Sequence, residues 1–118
     1  MKQIGNHAGM AFLLRQNGVE TSMSWTKILE TLTATKTDAH QKYKADLKGV
    51  FGSFARGEER EDSDIDILVD FQQGATLLDL AGLGNFLEEK LQRKVDLVTP
   101  AAVRKELRAR IYAEMISL

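Results

Sequence analysis

The 118-residue sequence predicts an α/β (α+β) fold, a small β-sheet with helices packed on it, and three observations carry that expectation. From Asp64 to Phe71, the residues Ile65, Ile67, Val69 and Phe71 alternate with Asp64, Asp66, Leu68 and Asp70, the period of a half-buried strand. Leu77, Leu80, Leu83, Leu87 and Leu91 then recur every three or four residues, the period of an amphipathic helix. Segments of the two kinds follow one another as helix, strand, short helix, strand, helix, strand, helix, the pattern of a sheet covered by helices. The pattern by itself leaves strand order and direction open.

Taken in order, Met1 to Ser24 is broken by Gly5, Gly9 and the Asn17-Gly18 turn signal. Residues 1–22 read as an N-terminal extension, loosely held and disordered, with a partner-binding arm as the functional alternative. Residues 23–118 read as the single folded domain that this length allows. Ser24 precedes Trp25, Ile28, Leu29 and Leu32 at helical spacing, but Lys27 stands where a capping box wants Glu. Four threonines between Thr31 and Thr37 lower helix propensity, so Trp25 to Lys44 is expected as one interrupted helix or two short ones. Leu47 to Phe51 is a short strand, and Phe54 to Glu59 a short helix limited by Gly57. Glu58 to Ser63 is a polar loop, Asp64 to Phe71 the clearest strand, and Gln72-Gln73-Gly74 a turn. Thr76 or Asp79 opens the leucine-rich helix, which runs through Lys90. Val95 to Thr99 is a third strand, and Pro100 suits the first turn of a last helical region, Ala101 to Ile116.

Composition excludes several classes of function. Sixteen Lys and Arg against 17 Asp and Glu give a net charge of −1, so no global field recruits nucleic acid or an anionic membrane, and direct nucleic-acid binding is not expected. The absence of cysteine excludes disulfides, thiolate zinc sites and a cysteine nucleophile, and fits a reducing compartment. No apolar run approaches the ~20 residues of a membrane span. Ala8 to Leu14 lacks the small-residue cleavage site of a signal peptide. His7 and His40 are isolated, and the basic run of Arg104, Lys105 and Arg108 reads as a solvated helix face.

The chemistry concentrates between Gly52 and Phe71. Residues i and i+2 of a strand share a face about 6–7 Å apart. Asp64 and Asp66 can therefore converge on hard cations, which favour oxygen ligands, phosphate oxygens and water. The bland alternative is a solvated strand face. Asp96, in Lys94-Val95-Asp96-Leu97-Val98, completes a carboxylate triad if its strand neighbours that of Asp64, as metal ligand and general base. Otherwise it pairs with Lys94 or an arginine. Gly52 lets backbone approach a ligand closely, and Ser53 stands at a helix start, where free N–H groups favour phosphate. A plain strand-to-helix turn is the alternative. Arg56 either holds a phosphate oxygen or pairs with Glu59 or Asp62.

The combination is more specific than its parts. GSFARG followed by SDIDILVDF closely resembles the minimal nucleotidyltransferase (MNT) family of the DNA polymerase β-like nucleotidyltransferase superfamily, and LLDLAGLGNFLEEKL and RKVDLVTPAAVRKELRARI are similar to it too. The resemblance covers about Val50 to Ile116. It implies the polymerase β-like fold, with a small mixed sheet. It also implies ATP as substrate, with Gly52 and Ser53 on the triphosphate, and Mg²⁺, as a pair of ions, on Asp64, Asp66 and Asp96. Members of the family are lone catalytic modules, commonly encoded beside a HEPN-domain protein, often an RNase toxin. The resemblance therefore implies a cytoplasmic antitoxin that transfers AMP from ATP to a tyrosine of that toxin. Two other readings stand beside it: an antitoxin that masks its partner by binding alone, and an adenylyltransferase acting on a small molecule such as an antibiotic.

Overall fold

The computed structural model describes residues 24–58 and 63–118. The expectation for residues 1–22, that of a loosely held extension, lies outside the described residues. The first described element is helix α1, Trp25–Tyr43, which is continuous. The Ser24 side chain caps it by accepting the Lys27 backbone N–H at 3.1 Å. The threonine run does not interrupt it. Ile28, Leu32, Thr35 and Ala39 form one buried stripe, and the Thr35 hydroxyl donates to the Leu32 carbonyl at 2.9 Å. Burial of that stripe against the sheet and a second helix outweighs a propensity deficit of a few tenths of a kcal/mol per threonine.

Strand β1, Ala45–Phe51, leads into the five-residue helix α2, Gly52–Arg56, which ends at Gly57 in the left-handed region. Strand β2 is Ile65–Phe71, and helix α3 is Leu77–Leu91. Thr76 and Asp79 cap α3 reciprocally, with the Thr76 N–H donating to the Asp79 carboxylate at 2.9 Å. Strand β3, Val95–Val98, is followed by a 3-10 turn, Pro100–Ala102. Helix α4, Lys105–Glu114, and a fourth strand, β4, Ile116–Ser117, complete the chain.

The last segment corrects the sequence expectation of one helical region over Ala101–Ile116. Val103 and Arg104 take extended backbone angles, which separates the 3-10 turn from α4. Met115 is extended as well, so that Ile116 can pair with Val50. A two-residue strand has no periodicity to read, and its existence depends on the partner strand.

The sheet order is β3-β2-β1-β4. β1 runs antiparallel to both β2 and β4, and β2 runs parallel to β3, so the sheet is mixed. Helices α1 and α3 pack on one face. There Ile28, Leu32, Ala39, Leu83, Leu87 and Leu91 meet Leu47, Val50, Ile65, Ile67 and Val69 in one core. Leu68, on the opposite face, is buried too, and the 3-10 turn lies against its strand. No helix among the described residues is long and apolar enough to cross a membrane.

Strand β1 is longer than Leu47 to Phe51 because its alternation is broken. Leu47 pairs with Val69, but Gly49 pairs with Leu68, so Lys48 is an inserted residue. The bulge lets Leu47 and Val50, three apart, both face the helices. It also places Gly49 under β4, where a Cβ would run into the Met115 side chain and come within 2.8 Å of the Ile116 carbonyl oxygen. Gly49→Ala is therefore expected to cost about 1–3 kcal/mol by overpacking. Urea unfolding of the two proteins measures it, and hydrogen exchange should show the loss concentrated in β4 and its pairing with β1.

Candidate active site

Three strand ends deliver the site. In the β1–β2 ladder Phe51 is opposite Asp66, and in the β2–β3 ladder Asp66 is level with Asp96. Neighbouring strands lie about 4.8 Å apart, so Asp66 stands between the end of β1 and Asp96. Gly52 follows Phe51 with φ of +74°, and a Cβ built there would collide with the Asp66 carboxylate. Glycine is required for both reasons: it adopts the left-handed region freely and leaves room for the carboxylate. Ser53 is next, in the first turn of α2, where backbone N–H groups have no partner inside the helix.

Asp64 precedes the strand rather than lying within it, since β2 begins at Ile65, and its side chain is exposed. Asp96 is also exposed, whereas Asp66 is half-buried. The three charges nevertheless act on one another. Burial, the Asp96 carboxylate and the Asp64 carboxylate, in that order, push the Asp66 pKa up from 3.8 to about 6, against a smaller opposing effect of Arg56. The donor set is all carboxylate oxygen, the chemistry that suits a hard divalent cation, and a cation would relieve the repulsion that raises Asp66. Among the described residues no group of three or more histidine, cysteine, aspartate or glutamate side chains is gathered closely enough to hold a metal ion. The arrangement is an open one, in which phosphate oxygens and water would supply the remaining ligands.

Arg56 is exposed. Its Nε donates to Glu58 at 2.9 Å, and its guanidinium lies 3.6 Å from Glu114 of α4. Glu59 and Asp62, its expected partners, fall outside the described residues. Its charge still reaches Asp66, so Arg56 stands beside the triad while tied to α4. Lys105 and Arg108 on α4, and Arg104 just before it, are exposed, as expected of a solvated face. His40 is not isolated: its Nδ1 lies 2.8 Å from Asp46 and 2.7 Å from the Gln72 amide, away from the triad.

Residues with no signal in the sequence support this frame. Glu88 accepts the Val95 N–H at 3.1 Å, and the Lys94 carbonyl accepts the Ile65 N–H at 3.0 Å, so the starts of β2 and β3 are pinned together. Arg93 donates to the Ser63 carbonyl at 2.8 Å, and its guanidinium lies 4.9 Å from the Phe54 ring centre. Phe54 in turn packs on Trp25, with ring centres 5.5 Å apart. Only the position of Arg93, two residues before the strand of the third aspartate, hinted at such a role.

The raised Asp66 pKa has a definite effect on stability. Because the folded value lies above the unfolded one, the native state holds the proton more tightly. The associated stability is present below about pH 4 and is lost as pH rises through about 6. Asp66→Asn, which mimics the protonated acid, should be nearly neutral at about pH 4. It should raise stability by about 1 kcal/mol at about pH 8, a figure discounted for the solvent screening of a half-exposed group. Thermal melts in chelator at the two pH values check this, and added divalent cation should shrink the difference at the higher pH.

Comparison with known proteins places the frame. The model of the nucleotidyltransferase domain matches residues 32–118, which include every site residue above. Over 90 residues, 76% of this chain and 91% of the relative, the sequence is 38% identical to MntA, a protein adenylyltransferase of Thermococcus cleftensis. Over 78 residues, 66% of this chain and 80% of the relative, it is 42% identical to a candidate protein adenylyltransferase of Methanocaldococcus jannaschii. Among solved structures, a candidate minimal nucleotidyltransferase is 44% identical, with a TM-score of 0.63 over 76% of this chain and 95% of that one. A crystal structure of a toxin–antitoxin with AMP-PNP shares the fold at 24% identity and a TM-score of 0.56, covering 80% of this chain and 72% of that one. A matched domain that contains the whole three-strand site, and relatives aligned over most of their own length, make this chain an enzyme of the nucleotidyltransferase family, of its minimal kind.

Proposed function

We propose that the protein is a Mg²⁺-dependent adenylyltransferase that moves AMP from ATP to a tyrosine of a cognate toxin, a HEPN-domain protein, and so acts as its antitoxin in the cytoplasm. One observation carries the reading. The backbone of Gly52 lies against Asp66, and Asp66 is level with Asp96, so a phosphate-approach loop and a carboxylate group share one end of the sheet. The protein-adenylyltransferase relatives and the toxin–antitoxin fold neighbour support the acceptor class.

In this reading the triphosphate of ATP lies over Gly52 and Ser53, where backbone can come close and the free N–H groups of α2 donate to phosphate oxygens. Asp64, Asp66 and Asp96 would hold Mg²⁺, as a pair of ions, and the metal would supply charge screening and polarisation of the phosphoryl group. Arg56 adds positive charge beside the phosphates. The acceptor hydroxyl attacks the α-phosphorus in line, forming the new O–P bond as the bond to pyrophosphate breaks. Asp96, exposed on β3, would take the hydroxyl proton. The chain's contribution is orientation and charge stabilisation. The acceptor is presented by the partner protein, in keeping with the exposure of Asp64 and Asp96.

The test is intact-mass spectrometry after incubation with ATP, Mg²⁺ and the cognate partner, with Asp64→Asn/Asp66→Asn alongside. AMP should appear on a tyrosine of the partner, and the double variant should be slower by at least about a hundredfold. A partner silenced equally by the double variant, without added mass, would establish masking by binding alone. AMP on an antibiotic rather than on protein would establish the small-molecule reading.

A further inference from the structure

The two strand ladders fix only part of the site. β1–β2 pairing sets Gly52 against Asp66, and β2–β3 pairing sets Asp66 level with Asp96. Asp64 lies before the first residue of β2, and α2 lies beyond the last residue of β1, so neither is held by a ladder. Yet the phosphate-side amides belong to α2, and one of the three carboxylates is Asp64. A working site needs such groups fixed to within about 0.5 Å of one another.

We propose that Arg93 is the positioning residue that locks these two unladdered segments to the strand of the third carboxylate. Its guanidinium donates to the carbonyl of Ser63, the residue immediately before Asp64, at 2.8 Å. The same guanidinium lies 4.9 Å from the ring centre of Phe54, the residue immediately after Ser53. Its own backbone leads directly into β3 and Asp96, and the next carbonyl, that of Lys94, accepts the Ile65 N–H. One side chain thus joins the segment bearing Asp64, the helix bearing Ser53 and the approach to Asp96. Arginine suits the task where lysine does not: a planar cation stacks on a ring with its face and donates in its plane. Arg93 touches neither the nucleotide nor the metal in this role, and acts through Ser63 and Phe54.

The inference rests on the nucleotidyl-transfer reading, and the experiment separates the two. The probe is AMP-PNP with Mg²⁺, which needs no acceptor. Calorimetry measures its affinity, and the emission of Trp25, the chain's single tryptophan, which is stacked on Phe54, reports the environment of α2. Arg93→Ala is expected to bind about tenfold more weakly, because the segments it joins are no longer held in place. Arg93→Lys, which keeps a donor but not the planar cation, should recover part of that loss. Ile28→Val, in the core of α1, lowers stability modestly and serves as the control. It should bind like the wild type. Wild-type affinity in Arg93→Ala, or a loss in all three variants that merely follows their melting temperatures, would overturn the inference while leaving the nucleotidyl-transfer reading intact. Failure of the wild-type protein to bind the probe would overturn that reading, and the inference with it.

Discussion

The site depends on one packing constraint: the backbone at Gly52 and the carboxylate of Asp66 occupy adjoining space in which no Cβ fits. That closeness follows from register. Past the inserted Lys48, β1 pairs with β2 so that Phe51 is opposite Asp66. Had the pairing continued unbroken from Leu47–Val69, Phe51 would face Ile65, and the glycine would be offset from the carboxylate by one residue. A one-residue offset also exchanges the two faces of a strand. The bulge therefore serves core and site together, keeping Leu47 and Val50 under the helices while aligning Gly52 with Asp66.

The same end of the sheet bears an electrostatic cost. Asp66 is half-buried beside two other carboxylates and holds its proton to about pH 6. The core on the other face offsets that cost, since α1 and α3 bury Ile28, Leu32, Leu83, Leu87 and Leu91 against Ile65, Ile67 and Val69. Each such side chain contributes roughly 1.5–3 kcal/mol by removal of apolar surface from water. Strand β2 thus carries the apolar residues of the core on one face and the acid of the site on the other.

Among the described residues, the face bearing the three aspartates is open. Asp64, Asp96 and Arg56 are exposed, and α4 is joined to the site through the approach of Arg56 to Glu114. An open face is consistent with a large acceptor, because a folded partner could bring its own hydroxyl and its own walls. The affiliation with the nucleotidyltransferases concerns the phosphate and carboxylate machinery, which lies wholly within the matched residues.

Much of this was legible in the sequence because local signals agreed with the tertiary result. The alternation of Ile65, Ile67, Val69 and Phe71 and the leucine spacing of α3 determined two elements and the face each buries. Gly52-Ser53, Asp64-Ile65-Asp66 and Asp96 marked the site through residue types that bare structure seldom requires in that order. What the sequence could not decide depended on contacts between distant segments. The threonine run of α1 is helical because its stripe is buried. Ala45 and Asp46 join β1 because a bulge repairs the alternation, and β4 exists because Val50 and Gly49 offer it an edge. The join of Arg93 to Ser63 and Phe54 spans 30 and 39 residues of chain, and no local pattern encodes it. By itself the sequence determined which groups could do the chemistry. Only the three-strand register, fixed by hydrogen bonds and packing among residues remote in the chain, set Gly52 beside Asp66 and Asp66 level with Asp96.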